Sequence, residues 1–152
     1  MIKNEINDIK DINNINWNEI NDNDDIKDFR NFFKGQCKIC KVVSIIDGDT
    51  IKVLTDINNE IWKVTVRLAH IDTPELHSQN IIEKERAFLI KNILENKILN
   101  KVVTIKFDGP DKFSRSLGNI YLNEENINTW LLDNNYAVKY EGKKKVDWST
   151  IL

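Results

Sequence analysis

The sequence predicts an α+β domain, mainly β with helices: a five-stranded barrel carrying two helices and preceded by an N-terminal extension. Two observations predict it. From Lys41 onward, short β-branched runs of strand length alternate with turn residues such as Asp47-Gly48-Asp49. Among them lie a long and a short stretch in which apolar residues recur at helical spacing, near 82–97 and 127–134. The length, 152 residues with 41% apolar side chains, suits one domain whose core needs no metal or disulfide. Charged residues make up 30% of the chain, 22 basic against 24 acidic, for a net charge of -2. That excludes a generic basic coat for nucleic acid, so any contact with phosphates has to be local and assisted, for instance by a bound cation. No apolar run approaches the length of a membrane span, and no membrane partner is expected. The opening Met1-Ile2-Lys3-Asn4-Glu5 lacks the basic-then-apolar plan of a secretion signal, so an intracellular, cytoplasmic location is expected.

Residues 1–35 form the extension, expected to be partly helical or disordered. They hold eight acidic and five basic side chains, and residues 36–152 therefore sum to +1. Ile6, Ile9, Ile12 and Ile15 recur every three residues and drift off a helical face, and the Asn content weakens helix propensity. Ile20, Ile26, Phe29, Phe32 and Phe33 make one short amphipathic pattern. Asn and Ile richness also fits AT-biased coding, so no function is read from it. Cys37 and Cys40 are too few for a secreted disulfide framework. The only histidines, His70 and His77, lack zinc-finger spacing from them, and a thioredoxin-type motif needs a helix behind it. Two free thiols opening a strand is the favoured reading.

The barrel domain, residues 36–152, then reads in order. Residues 41–46 are an apolar strand, Asp47-Gly48-Asp49 a hairpin-type turn, and 50–54 an alternating strand. After a second turn at 56–59, residues 61–71 alternate, with Trp62, Val64, Val66 and Leu68 on one face and Lys63, Thr65 and Arg67 on the other. Pro74 ends this strand, since it cannot donate to a ladder. A helix over 82–97 carries Ala87, Ile90, Ile93 and Leu94 on one stripe. Strands at 102–107 and 117–122 flank a loop at 108–116, and a short helix follows with Trp130, Leu131 and Leu132. Three strands, a helix, two strands and a helix is the order of the OB-fold, the oligonucleotide/oligosaccharide-binding barrel.

Three stretches carry chemistry: Asp47-Gly48-Asp49-Thr50 in a tight turn, Arg67-Leu68-Ala69-His70-Ile71-Asp72-Thr73-Pro74-Glu75 off a strand end, and Asp111-Lys112-Phe113-Ser114-Arg115 in a loop. They offer the carboxylates Asp49, Asp72 and Glu75 and the guanidinia Arg67 and Arg115. That inventory suits attack of water on a phosphodiester. Two hard carboxylates and a carbonyl suit Ca²⁺; the third carboxylate can orient or deprotonate water; planar guanidinia match phosphate. Each stretch alone has a plain structural explanation as a turn, a strand exit or a solvated loop. His70 and His77 read as bystanders, and Lys143-Lys144-Lys145 as a solvated tail. The set in one order is what points to a site.

The three stretches resemble the marks of the staphylococcal nuclease (thermonuclease) family: an Asp-Gly-Asp-Thr turn, an Arg-x-x-x-x-Asp-Thr-Pro-Glu strand exit and an Asp-x-Tyr-Gly-Arg loop. The resemblance covers about residues 40–140, and the first two motifs match completely. It implies that Asp49, Asp72 and the Thr73 carbonyl hold Ca²⁺ and that Glu75 is the general base or water-positioning group. It also implies that Arg67 and Arg115 contact the scissile phosphate, with Lys112 near a second one. The family cleaves DNA and RNA to 3′-phosphate and 5′-hydroxyl ends. Two departures stand in the third motif. Phe113 replaces Tyr, losing a hydrogen-bond donor but keeping a ring that can stack. Ser114 replaces Gly, at a cost of about 1 kcal/mol if the backbone there needs positive φ. Tyr136 and Tyr140 are candidates for substrate aromatics, Tyr140 foremost.

The leading expectation is thus a calcium-dependent nuclease, a monomer, cutting single strands faster than duplex and with little sequence preference. The rival is a non-catalytic nucleic-acid or protein-binding module on the same barrel, but binding alone needs no carboxylates facing a phosphate. An oligosaccharide-binding barrel would want a clustered aromatic platform, which the sequence lacks. At the C-terminal end, residues 143–152 are expected to make one turn or two anchored by Trp148. Residues near 17–34 are expected to dock on the barrel away from Asp49, Asp72 and Arg115.

Overall fold

The computed structural model describes residues 16–19 and 29–151. The strands are β1 (Cys37–Asp47), β2 (Thr50–Ile57), β3 (Glu60–Leu68), β4 (Ile71–Asp72), β5 (Val102–Pro110), β6 (Ser116–Leu122), β7 (Glu125–Asn126) and β8 (Val138–Lys139). The helices are α1 (Ile81–Ile98) and α2 (Ile127–Asp133). One-turn 3₁₀ helices lie at Trp17–Glu19, Phe29–Asn31 and Trp148–Thr150. The expectations near Ile6 to Ile15, Ile20 and Ile26 fall outside the described residues.

Strand order is β3-β2-β1-β5-β6-β7, and a further parallel pairing of β3 with β6 closes β1, β2, β3, β5 and β6 into a five-stranded mixed barrel. Hydrogen-bonding the first strands to the last in this way leaves no open edge between them. The turns are chemically apt. Asn58 and Asn59 both have positive φ, 54° and 65°, between the paired residues Ile57 and Glu60, which is the two-residue hairpin geometry that matches strand twist.

Inside the barrel, Val42, Ile51, Val66, Ile105, Phe107 and Ile120 are buried. α1 lays Ala87, Ile90, Leu94 and Ile98 on them, and α2 adds Ile127 and Leu131. Ile93, expected on the buried stripe, is only partly covered; Ile98 takes the next turn. β3 stops at Leu68, short of the expected Ile71, because His70 turns the chain with φ 62°. Trp62 stays half exposed despite lying on the predicted apolar face. Cys37 is exposed and Cys40 buried on β1, both as free thiols. From the extension, the Phe33 ring stacks on Phe107, with centroids 4.8 Å apart. Gly35 N–H donates to the Phe107 carbonyl at 2.9 Å, and Phe107 N–H returns the bond to Gln36. Among the described residues, no helix is long and apolar enough to cross a membrane.

Candidate active site

Two chain reversals at one end of the barrel bring the acids together. The β1–β2 turn carries Asp49, and the exit from β3 through β4 carries Asp72, Thr73 and Glu75. A Cβ at Gly48 would stand 2.8 Å from both Ile90 Cγ2 and Thr73 Oγ1, so only glycine lets the turn lie this close to α1 and to the strand exit. Arg67, near the end of β3, ties the two segments. Its Nη2 donates to Asp49 Oδ2 at 3.0 Å and to Asp72 Oδ1 at 3.1 Å, while Nη1 donates to the Leu68 and Ile71 carbonyls at 3.0 and 2.9 Å. Arg67, Asp49, Asp72 and Thr73 are all buried. Asp49 Oδ2 also accepts from Thr73 N–H at 3.2 Å, and Oδ1 from Thr50 Oγ1 at 3.0 Å.

This packing strains the charge balance. Burial pushes the Asp49 carboxyl up to about 7; the Arg67 guanidinium opposes that rise, and the charges of Asp47 and Asp72 add to it. Glu75 is half exposed. Its backbone N–H is held by Glu83 Oε1 at 3.0 Å, and Glu83 Oε2 also accepts from Ser78 Oγ at 2.5 Å. Glu83 is the third residue of α1, and its own N–H is capped by the Asn80 side chain. The helix start therefore fixes the loop that carries Glu75.

A residue expected to be a solvated tail enters the site. Lys145 Nζ hydrogen-bonds Glu75 Oε1 and lies 3.4 Å from Asp72 Oδ1. Burial pulls the Lys145 pKa down, but the hydrogen bond to Glu75 and the charges of Asp72, Glu75 and Asp49 outweigh it, and the net direction is up. Three residues on, Trp148 is buried with its indole Nε1 3.4 Å from Asp72 Oδ2.

Beside the acids lies a cleft of about 310 Å³, and Arg67 and Lys145 line it together with Tyr140, Lys112, Phe113 and Arg115. The Tyr140 ring covers Arg67, with the guanidinium 5.6 Å from the ring centroid. Phe113 is exposed, flanked by Lys112 Nζ at 5.2 Å and Arg115 Cζ at 5.4 Å from its centroid. Ser114 has φ 62°, the left-handed backbone that makes Ser in a Gly slot costly, by about 1 kcal/mol. Arg115 points its Nε at Asp111 Oδ2, 2.7 Å away, and so shares the cleft rather than the acid cluster. His70, expected to be a bystander, is pinned at the cleft edge between Asp108 and Glu141, each at 3.3 Å. His77 sits in an exposed loop.

Sequence reasoning missed Glu83, Asn128 and Lys145. Asn128 is buried on α2; it accepts from Ile120 N–H at 3.1 Å and donates to Ala69 and Gly118 carbonyls at 3.1 and 3.0 Å. It thereby locks the turn that leads to Asp72. A lone Asn early in a short helix was its only signal.

Fold and site together define an OB-fold barrel with a buried arginine–carboxylate centre at one end of a cationic cleft. The chain belongs to the staphylococcal nuclease homologue family, whose match spans residues 65–150. It is 36% identical over 124 residues to an uncharacterised protein of Methanocaldococcus jannaschii, covering 66% of this chain and 58% of that one. It is 36% identical over 102 residues to an uncharacterised endonuclease of Haemophilus influenzae (67% of this chain, 52% of the relative). A thermonuclease of Staphylococcus intermedius is 32% identical over 92 residues, covering 59% and 52%. The chain spans about half the length of the relatives it matches.

Proposed function

We propose that this protein is a calcium-dependent endonuclease: a phosphodiesterase that hydrolyses DNA and RNA with little sequence specificity and leaves 3′-phosphate and 5′-hydroxyl ends. The observation that carries the reading is the sharing of Arg67 Nη2 by Asp49 and Asp72 beside a cleft whose wall holds Lys112 and Arg115. Relatives named endonuclease and thermonuclease support it.

Asp49, Asp72 and the Thr73 carbonyl offer only hard oxygen donors, the ligand type a hard divalent cation takes. Asp72 Oδ1 and Glu75 Oε1 already converge on one positive group, the Lys145 ammonium. Four carboxyl groups, Asp47, Asp49, Asp72 and Glu75, face two cations there, Arg67 and Lys145. Asp49, Asp72 and the Thr73 carbonyl would hold Ca²⁺, which tolerates sparse and irregular oxygen ligands better than Mg²⁺ does. Bound there, the ion supplies Lewis-acid polarisation of a phosphoryl oxygen.

The chain's own residues do the rest. Glu75, at the solvent edge, takes the proton of the attacking water. Water adds to phosphorus, the P–O5′ bond breaks, and the 5′ oxygen takes a proton from solvent and leaves as hydroxyl, while Glu75 returns its proton to solvent. Arg115 and the edge of Arg67 stabilise the charge that builds on the phosphoryl oxygens. Lys112 contacts a neighbouring phosphate, and Phe113 and Tyr140 stack on sugar or base, which suits single strands. The working unit is a monomer, acting inside the cell, with residues 36–152 as the nuclease domain and residues 1–35 as its extension.

Plasmid DNA and RNA digested with Ca²⁺, with Mg²⁺, and with chelator test the reading. Cleavage in Ca²⁺ that chelator abolishes is expected, with Mg²⁺ poor. Equal or faster cutting in Mg²⁺ alone would remove the calcium assignment, and no cutting in any ion would leave a binding module.

A further inference from the structure

We propose that Lys145 is a resident counter-cation of the acidic site, which a divalent cation has to displace in order to bind. This rests on reading that site as a cation site.

Three observations carry it. The Lys145 ammonium bridges Asp72, a proposed ligand, and Glu75, the proposed base, so one group occupies both halves of the centre. Asp72 is fully buried, and its oxygens are engaged by Arg67, Lys145 and Trp148. Of these, Lys145 alone is half exposed, with 48% of its side chain accessible. Its flexible stem and compact charge let the ammonium swing out without repacking the core. The backbone allows the same movement: residues 140–147 hold no helix or strand, and Gly142 turns at φ 78° with open space around it.

Displacement follows from charge and site. A divalent cation held by Asp49 and Asp72 would share the Asp72 carboxylate with Lys145, and two positive centres there would repel. The released ammonium would turn into the cleft that Lys145 lines with Arg67 and Tyr140, where an incoming phosphate would meet it. Lys145 thus holds the acids in place before metal arrives and raises the metal concentration needed to load the site.

Calcium chloride titrated calorimetrically into the full chain at fixed ionic strength tests this. Lys145→Gln is expected to tighten Ca²⁺ binding about 10-fold, the effect of removing one like charge near the site. Lys145→Arg should stay close to wild type, and Lys144→Gln should change affinity by less than about 2-fold, as expected for a screened surface charge. In parallel, acetylation by an amine-selective reagent, read by peptide mass spectrometry, should rise at Lys145 and not at Lys144 when Ca²⁺ is added. Equal Ca²⁺ affinity in wild type and Lys145→Gln, or unchanged Lys145 reactivity, overturns the displacement alone. Absence of Ca²⁺ binding in both proteins overturns the cation reading and this inference with it.

Discussion

Arg67 ties the fold to the proposed site. Its guanidinium closes the β3 exit through two carbonyls and neutralises two buried carboxylates. Removing it leaves Asp49 and Asp72 buried without their partner. Arg67→Ala is therefore expected to lose about 3–5 kcal/mol of stability, read from urea unfolding at pH 7. Arg67→Lys keeps the charge but loses the fork. It should fold better than the alanine variant and still cut poorly. Glu75 separates the two roles in the other direction. Being half exposed, Glu75→Gln should leave the unfolding midpoint almost unchanged while lowering turnover by roughly 10²–10⁴, measured with a labelled oligonucleotide. A normal rate in that variant would place the base elsewhere. Residue-scale legibility was uneven for a physical reason. The residues proposed to do chemistry stood in contiguous motifs. Those that position them, Glu83 and Asn128, act through backbone groups that come near only in the folded chain. Asparagine was equally opaque. Among the described non-glycine residues with positive φ, five of seven are Asn, because its short side chain tolerates the left-handed region. What composition offers as coding bias is, at Asn58, Asn59, Asn100, Asn123 and Asn135, a set of turns and helix ends.

At the scale of elements, the five barrel strands and both helices were legible, and α1, expected over 82–97, spans Ile81–Ile98 with Phe88 and Leu89 left exposed; the two-residue strands β4, β7 and β8 are too short to carry a period and were not. The exit from β3 was not, since nothing in Ala69-His70 announces a left-handed turn. The loop between β5 and β6 carries the proposed substrate contacts Lys112, Phe113 and Arg115, and one carboxylate organises it. Asp111 accepts from the N–H groups of Phe113 and Arg115 at 2.8 and 2.9 Å and pairs with Arg115 Nε. Burial alone would raise the Asp111 pKa, but those N–H groups and the Arg115 charge outweigh it and hold it below the usual carboxylate value. The sign follows: the folded loop binds a proton less readily than the unfolded chain does. The contribution of Asp111 is thus present above the ordinary carboxylate pKa of about 4 and is lost as pH falls through the lowered one. The Arg115 Nε resonance should hold from pH 7 to about 4 and move below that. Asp111→Ala should show the acid-like shift already at pH 7 and weaken substrate binding. An Arg115 signal indifferent to both would mean that the loop is ordered by something other than Asp111.

At the scale of the whole molecule, two features of the sequence meet: an extension with apolar residues, and a net charge that does not favour nucleic acid. Phe33 joins the extension to the barrel by stacking on Phe107, so deletion of residues 1–34 strips a half-buried ring from the core. A loss of about 1 kcal/mol, the share of a half-buried ring, is expected, a few degrees in thermal midpoint, with Ca²⁺ binding unchanged; an unaltered midpoint would mean that the ring contributes nothing. Charge sets the last expectation. With a net charge of -2, attraction to a polyanion has to come from the cleft, and its cationic members are Lys112, Arg115, Lys145 and Arg67. Arg67 is buried between Asp49 and Asp72, whereas Lys112, Arg115 and Lys145 are accessible enough to exchange a carboxylate partner for a phosphate, which leaves three groups to displace counterions. For single strands each contact contributes about 0.7 to the salt slope, so log K against log salt should fall with a slope near -2. The Glu75→Gln variant with a fluorescent oligothymidine measures this by anisotropy without hydrolysis. Replacing Lys112 or Arg115 by Gln should flatten the slope by about 0.7 each. A wild-type slope of about -5 or steeper would place most phosphate contacts outside the cleft, on a surface whose charge does not predict them.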